Sequence, residues 1–184
     1  MRTVRIIIIL LVLIGFPAIS WFYLSSGLKW RINAQQETMI KEHLGNFTLV
    51  DSDSIILRSN EMHGTFYVIA TPQDSQSFQH LKMVNTQFHV RKDFRTMYLL
   101  PEGEDASPQA DTTWIHVYCI QGCEALRTVL FNPDYSAAIV DDSLYLRGQY
   151  HLGSGEEMRK LVEHLAVVLP IEKRERIELI RGKQ

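Results

Sequence analysis

The chain has 184 residues, which is long enough for one domain with an appendage. A hydrophobic share of 46% and a charged share of 22% are typical of a globular protein and exclude a disordered or collagen-like chain. The formal net charge of −2 gives no indication of nucleic-acid binding, and two cysteines are too few for a disulfide-stapled scaffold.

Residues 1–28 are predicted to form an N-terminal transmembrane anchor. Residues 6–28 contain no charged side chain, and as a helix they would span about 35 Å, enough for a hydrocarbon core of about 30 Å. Aromatic residues suited to a membrane interface lie near the end of this run and just beyond it: Trp21, Phe22, Tyr23 and Trp30. A cleaved signal peptide ending at Ala18-Ile19-Ser20 is the alternative. The short N-terminal tail favours a single-pass protein of the inner (cytoplasmic) membrane, with its C-terminal domain outside the cytoplasm.

Residues 29–170 are predicted to form one domain, followed by a charged helical tail at residues 171–184. The expected elements are a helix at 35–44, extended segments at 47–51 and 54–57, a strand at 65–70, a helix at 75–88, a strand at 94–100, a loop at 101–112, a strand at 113–119, a helix at 124–130, a hairpin of 136–140 with 144–148, and a helix from Ser154 to Pro170. Asp141 and Asp142 are interpreted as hairpin-turn residues rather than as an acid/base pair. This order predicts a thioredoxin-like α/β fold, in which helices flank both faces of a mixed central sheet.

Four motifs occur in a fixed order near the C-terminal end of this domain. They are Asp134-Tyr135-Ser136, Ala138-Ile139-Val140-Asp141, Leu146-Arg147-Gly148-Gln149-Tyr150 and Gly155-Glu156-Glu157-Met158. With them, residues 35–169 resemble the SCO/SenC family, membrane-anchored thioredoxin-like copper and thiol proteins of cytochrome oxidase assembly. The resemblance implies a domain outside the cytoplasm with a protein partner in the assembly of a respiratory complex.

The family's copper site is altered in this sequence. In the family, a Cys-x-x-x-Cys motif between the first core strand and its helix binds copper together with a distal His. This chain has Thr71-Pro72-Gln73-Asp74-Ser75-Gln76-Ser77 at the first position and Tyr135 at the second. Soft thiolate ligands select Cu(I), and neither an amide nor a hydroxyl replaces them. The resemblance therefore implies a degenerate member in which Thr71, Asp74, Ser75 and Tyr135 occupy the site, and no cofactor is expected there.

The two cysteines, Cys119 and Cys123, have the family's spacing one strand later in the chain. One helical turn brings residues i and i+4 within about 6 Å, which a disulfide tolerates. Three interpretations stay open: a structural disulfide, inert thiols, or a displaced redox or Cu(I) pair. His151 is a further candidate metal ligand, whereas strand alternation places His116 on the face opposite Cys119.

The leading functional hypothesis is an accessory factor in cytochrome oxidase assembly that acts by protein contact and is not an enzyme. One alternative is a thiol–disulfide oxidoreductase or Cu(I) carrier that uses Cys119 and Cys123. The other is a structural, membrane-tethered interaction module.

Overall fold

The computed structural model describes residues 2–39, 42–51, 53–100, 114–131 and 134–170, with side chains from residue 12 onward. Its helices and strands are, in chain order, α1 Arg2–Glu37, β1 Glu42–His43, β2 Thr48–Asp51, β3 Ile56–Arg58, β4 Phe66–Ala70, α2 Ser75–Phe88, β5 Phe94–Leu99, β6 Ile115–Gln121, α3 Cys123–Leu130, β7 Ala137–Val140, β8 Tyr145–Tyr150 and α4 Gly155–Val168.

The strands form one mixed sheet in the order β1-β8-β7-β4-β5-β6-β2-β3. Strands β4, β5 and β6 are parallel, while β7 pairs antiparallel with β4, and β8 with β7. All five residues of β4 are buried, as the unbroken apolar run at its position predicts for a strand covered on both faces. The predicted mixed sheet is therefore confirmed.

Helices cover both faces of the sheet, also as predicted. Phe78 and Leu81 of α2 and Leu161 of α4 share one hydrophobic cluster with β4 residues such as Val68. On the opposite face, α3 buries Leu126 and other apolar residues in a second cluster. These two clusters form the core, one on each side of the sheet.

The helix predicted at residues 35–44 is wrong. Helix α1 ends at Glu37, and Glu42 and His43 pair antiparallel with Leu146 and Tyr145 at the edge of the sheet. The apolar spacing that suggested a helix is outweighed by backbone pairing with β8, which is about 100 residues away in the chain. The strand predicted at 113–119 also continues to Gln121.

The predicted anchor falls within α1. Large apolar side chains of this helix, such as Leu13, Phe16 and Leu24, are exposed. No helix within the described residues is long and apolar enough to cross a membrane. The side chains of residues 6–11 lie outside the described part of the chain, as do the predicted loop at 101–112 and the tail at 171–184.

The C-terminal end of α1 packs on the domain. Its Trp30 indole Nε1 donates to Glu163 Oε2 at 3.4 Å, and Glu37 Oε2 lies 3.3 Å from His164 Nε2, both on α4. Just beyond the helix, Arg147 donates to the Thr38 carbonyl oxygen at 3.4 Å. The helix is thus joined to the domain through side chains of α4 and β8.

Candidate functional site

Two strand-to-helix junctions lie at the same edge of the sheet. We call residues 71–77, between β4 and α2, the α2 junction, and residues 119–123, between β6 and α3, the α3 junction. Because β4, β5 and β6 are parallel, their carboxyl ends meet at one edge. Only β5 separates β4 from β6, so the two strands that lead into the junctions are about 10 Å apart across the sheet. Helices α2 and α3 leave this edge towards opposite faces, an arrangement that creates ligand crevices in α/β sheets.

The α2 junction is closed by a side-chain cap. The Asp74 carboxylate accepts the backbone N–H of Ser77 at 2.7 Å, which satisfies one free amide of the first turn of α2. This hydrogen bond is the main reason that the pKa of Asp74 lies below its usual value, and the nearby His151 lowers it further. Thr71 donates its backbone N–H to the Ser136 carbonyl oxygen at 2.9 Å, which ties the junction to the loop before β7.

Of the residues expected at the altered copper site, Thr71, Asp74 and Ser75 lie in the α2 junction, and Tyr135 lines a pocket beside it. Tyr135 and His151 line one open surface pocket with Asp134 and Glu157, next to the α2 junction. Tyr135 is 37% exposed. Among the described residues, no group of three or more His, Cys, Asp or Glu side chains is arranged to hold a metal ion. His151 lines this pocket, and it does not line the separate pocket that contains Cys119 and Cys123.

The α3 junction contains the two cysteines as a disulfide. Cys119, near the end of β6, is bridged to Cys123, the first residue of α3, with their Cα atoms 5.5 Å apart. Of the three interpretations, inert thiols are therefore wrong, and the role of the bridge stays a prediction. Tyr118 packs on the α2 side of the sheet and Cys119 on the α3 side, which confirms the predicted strand alternation. The ring of His116 contacts Tyr98, a member of the cluster on the α2 side.

Gly122 makes the tight turn of the α3 junction. Its φ of +74° lies in the left-handed region that favours glycine. A Cβ at this position would lie 2.7 Å from the Asn46 carbonyl oxygen and 3.3 Å from the Cα of Phe47. The position therefore requires glycine for both its backbone conformation and its close approach to the chain before β2.

A surface pocket lies beside the disulfide. It is lined by the two cysteines together with Leu100, Tyr118, Ile120, Glu124 and Arg127. Arg127 donates to the Leu100 carbonyl oxygen at 3.2 Å. Ile120 is 61% exposed, so an apolar side chain borders the cysteines on the protein surface.

Two polar clusters were missed by the sequence reasoning. Buried Asp141 accepts hydrogen bonds from the amides of Ser143 and Tyr145 and forms an ion pair with Arg147 at 2.7 Å. This geometry confirms the turn interpretation of Asp141. The only available signal for the ion pair was opposite charge on the two strands of one hairpin.

The second missed cluster centres on buried His164. The Tyr150 hydroxyl lies 2.7 Å from His164 Nδ1, and Glu37 faces the other ring nitrogen. Burial lowers the pKa of His164 and raises that of Tyr150. No local pattern links these three residues, since they come from α1, β8 and α4.

The chain matches no known family model and no curated protein in sequence. Solved structures do share its fold. A protein from Aquifex aeolicus VF5, proposed to be an electron transfer protein, has 14% identity and a TM-score of 0.54, covering 71% of this chain and 98% of that one. The thioredoxin domain of thiol-disulfide oxidoreductase BVU-2223 from Bacteroides vulgatus has 12% identity and a TM-score of 0.52, covering 71% and 98%.

A third similar structure is that of BsSco, described as a member of the Sco family of cytochrome c oxidase assembly proteins. It has 11% identity and a TM-score of 0.51, covering 68% of this chain and 93% of that one. At such low identities the similarity establishes the fold alone. The domain therefore has a thioredoxin-like fold.

Proposed function

We propose that this protein is a membrane-tethered, thioredoxin-like accessory factor that acts by protein contact in the assembly of a respiratory cytochrome oxidase. The observation that carries this proposal is that the α2 junction contains a helix cap and no cysteine. Asp74 caps the helix there, and Tyr135 and His151 border it, without a sulfur ligand for copper. The fold is thus retained, while the thiolate ligands on which the family's copper chemistry depends are missing from that site.

The link to oxidase assembly rests on the ordered motifs at residues 134–158, together with the fold shared with BsSco. Membrane tethering rests on the charge-free run at residues 6–28 and on the exposed apolar side chains of α1. In this proposal the domain lies outside the cytoplasm and α1 holds it at the inner membrane.

Deletion of the gene in its native host tests this proposal. We expect a smaller amount of assembled cytochrome oxidase, measured by its haem absorbance and by oxygen uptake with reduced cytochrome c. The full chain and its Tyr135→Ala variant should both restore the oxidase, and both should fractionate with membranes. Normal oxidase levels in the deletion strain would contradict the assembly role.

Copper titration of the purified full chain tests the altered site separately. No stoichiometric copper complex that depends on Tyr135 is expected, because the hydroxyl is a poor ligand for Cu(I). A one-to-one complex that is present in the natural chain and lost in Tyr135→Ala would show that the site binds copper after all.

A further inference from the structure

We propose that the α3 junction is a thiol–disulfide exchange site, with Cys123 as the attacking sulfur and an exposed disulfide of a partner protein as its substrate. This site lies on a different strand and on the opposite face of the sheet from the α2 junction. It does not depend on the proposed role in oxidase assembly.

The position of the bridge argues against a purely structural role. It closes a segment of only five residues, for which the loss of chain entropy in the unfolded state is smaller than for the long loops that structural disulfides close. The two cysteines are already held in place without it, because Cys119 pairs with Leu49 of β2. The Leu126 N–H also donates to the Gly122 carbonyl oxygen at 3.0 Å. The bridge therefore joins no parts of the fold that would otherwise separate.

The surroundings of the bridge favour access by another protein. Both cysteines are only partly buried and line the same surface pocket. Exposed Ile120 stands beside them and offers an apolar contact for an approaching peptide segment. A disulfide on the surface of a partner can thus reach the two sulfurs without unfolding of the domain.

The position of Cys123 favours it as the attacking sulfur. It is the first residue of α3, and Gly122, which precedes it, has no side chain to occupy the free amides of the first turn. The positive end of a helix stabilises a thiolate placed there. Cys119 lies in a strand and has no such stabilisation, so it acts as the resolving thiol.

The proposed exchange has two steps. In the reduced form, the Cys123 thiolate attacks one sulfur of the partner's disulfide, which forms a mixed disulfide and releases one partner thiolate that takes up a proton. Cys119 then loses its proton and attacks Cys123 Sγ, which forms the bridge seen in the structure and releases the second partner thiolate. The partner gains two electrons, this chain loses two, and a dithiol protein restores the reduced form.

The first test is reduction of the natural full chain by dithiothreitol in mild detergent. We expect the bridge to open while the circular dichroism spectrum of the folded chain is retained. The reduced chain is then treated briefly with iodoacetamide at pH 7, and the labelled peptides are quantified by mass spectrometry. Cys123 should be labelled about threefold faster than Cys119 or more, because its thiolate fraction is larger.

Single variants provide the matched control. With glutathione disulfide as the probe, Cys119→Ser should accumulate a mixed disulfide at Cys123, whereas Cys123→Ser should accumulate far less at Cys119. If either variant does not fold, the labelling of the natural chain still decides. A bridge that resists dithiothreitol until the chain unfolds, or labelling that is equal or faster at Cys119, would overturn the proposal. Neither measurement involves the oxidase, so this proposal and the assembly role can fail separately.

Discussion

The α2 and α3 junctions both lead from a strand into a helix, but only the start of α2 has a side-chain cap. At the α2 junction, the Asp74 carboxylate occupies a free amide at the start of the helix. At the α3 junction, a left-handed Gly122 makes the turn and the first helical residue is a cysteine. A helix end that is already capped has less capacity to stabilise another anion, whereas an uncapped end can stabilise a thiolate. The two helix ends therefore differ in the anion that they can stabilise: the chain's own carboxylate occupies the start of α2, whereas the start of α3 is open to the thiolate of the proposed exchange.

The largest effect on this comparison is expected from Gly122→Ala. An alanine there must adopt a left-handed conformation, and its Cβ would meet the Asn46 carbonyl oxygen at 2.7 Å. We expect a loss of about 3 kcal/mol in the free energy of unfolding. Urea denaturation of the full chain measures it.

Gly155→Ala is the matched control for that substitution. Gly155 begins α4 with an ordinary φ, and a Cβ there would meet no heavy atom of the described residues within 4 Å. Its stability should be unchanged or slightly raised. Equal losses in the two variants would show that Gly122 has no special role in the turn.

A smaller effect is expected from the double variant Cys119→Ser with Cys123→Ser. The bridge closes only five residues, so its removal should lower the free energy of unfolding by about 2 kcal/mol, less than a long-loop disulfide contributes. The same denaturation experiment on the natural chain with dithiothreitol should give a similar loss. Failure of the double variant to fold would indicate that the bridge is essential to the structure.

The smallest effect is expected at the α2 junction, from Asp74→Asn. The pKa of Asp74 is lowered mainly by its hydrogen bond from Ser77, so this bond stabilises the fold at a pH above the unfolded carboxyl pKa. That stabilisation is lost as the pH falls through the lowered pKa of the folded state. Asparagine caps a helix without ionising, so the variant should lose less stability on acidification than the natural chain. Thermal unfolding between pH 7 and pH 3 measures the difference, and parallel curves would contradict it.

Elements with a strong local signal were predictable from the sequence. The buried run of β4, the apolar stripe of α2 and the capping serine of α4 each identify an element without reference to the rest of the chain. The cysteine spacing made a bridge possible but left inert thiols open, and the helical turn on which that argument relied is not the observed geometry, since Cys119 lies in β6 and Cys123 is the first residue of α3.

Features that depend on distant segments were not predictable in this way. Strand β1 exists because Glu42 pairs with Leu146, and no local pattern in residues 35–44 indicates that partner. The cluster of Glu37, Tyr150 and His164 likewise joins three segments that are far apart in sequence. Contacts of this kind form only after folding has brought the segments together, so no local sequence pattern predicts them.

The docking of α1 has a mechanical consequence. The helix is continuous through Glu37, and Trp30 and Glu37 contact α4 near its C-terminal half. Because these two contacts are seven residues apart on α1, the helix cannot change its direction relative to the domain without breaking at least one of them. Whatever holds the first turns of α1 therefore also sets the direction in which the carboxyl edge of the sheet, with both junctions, is presented.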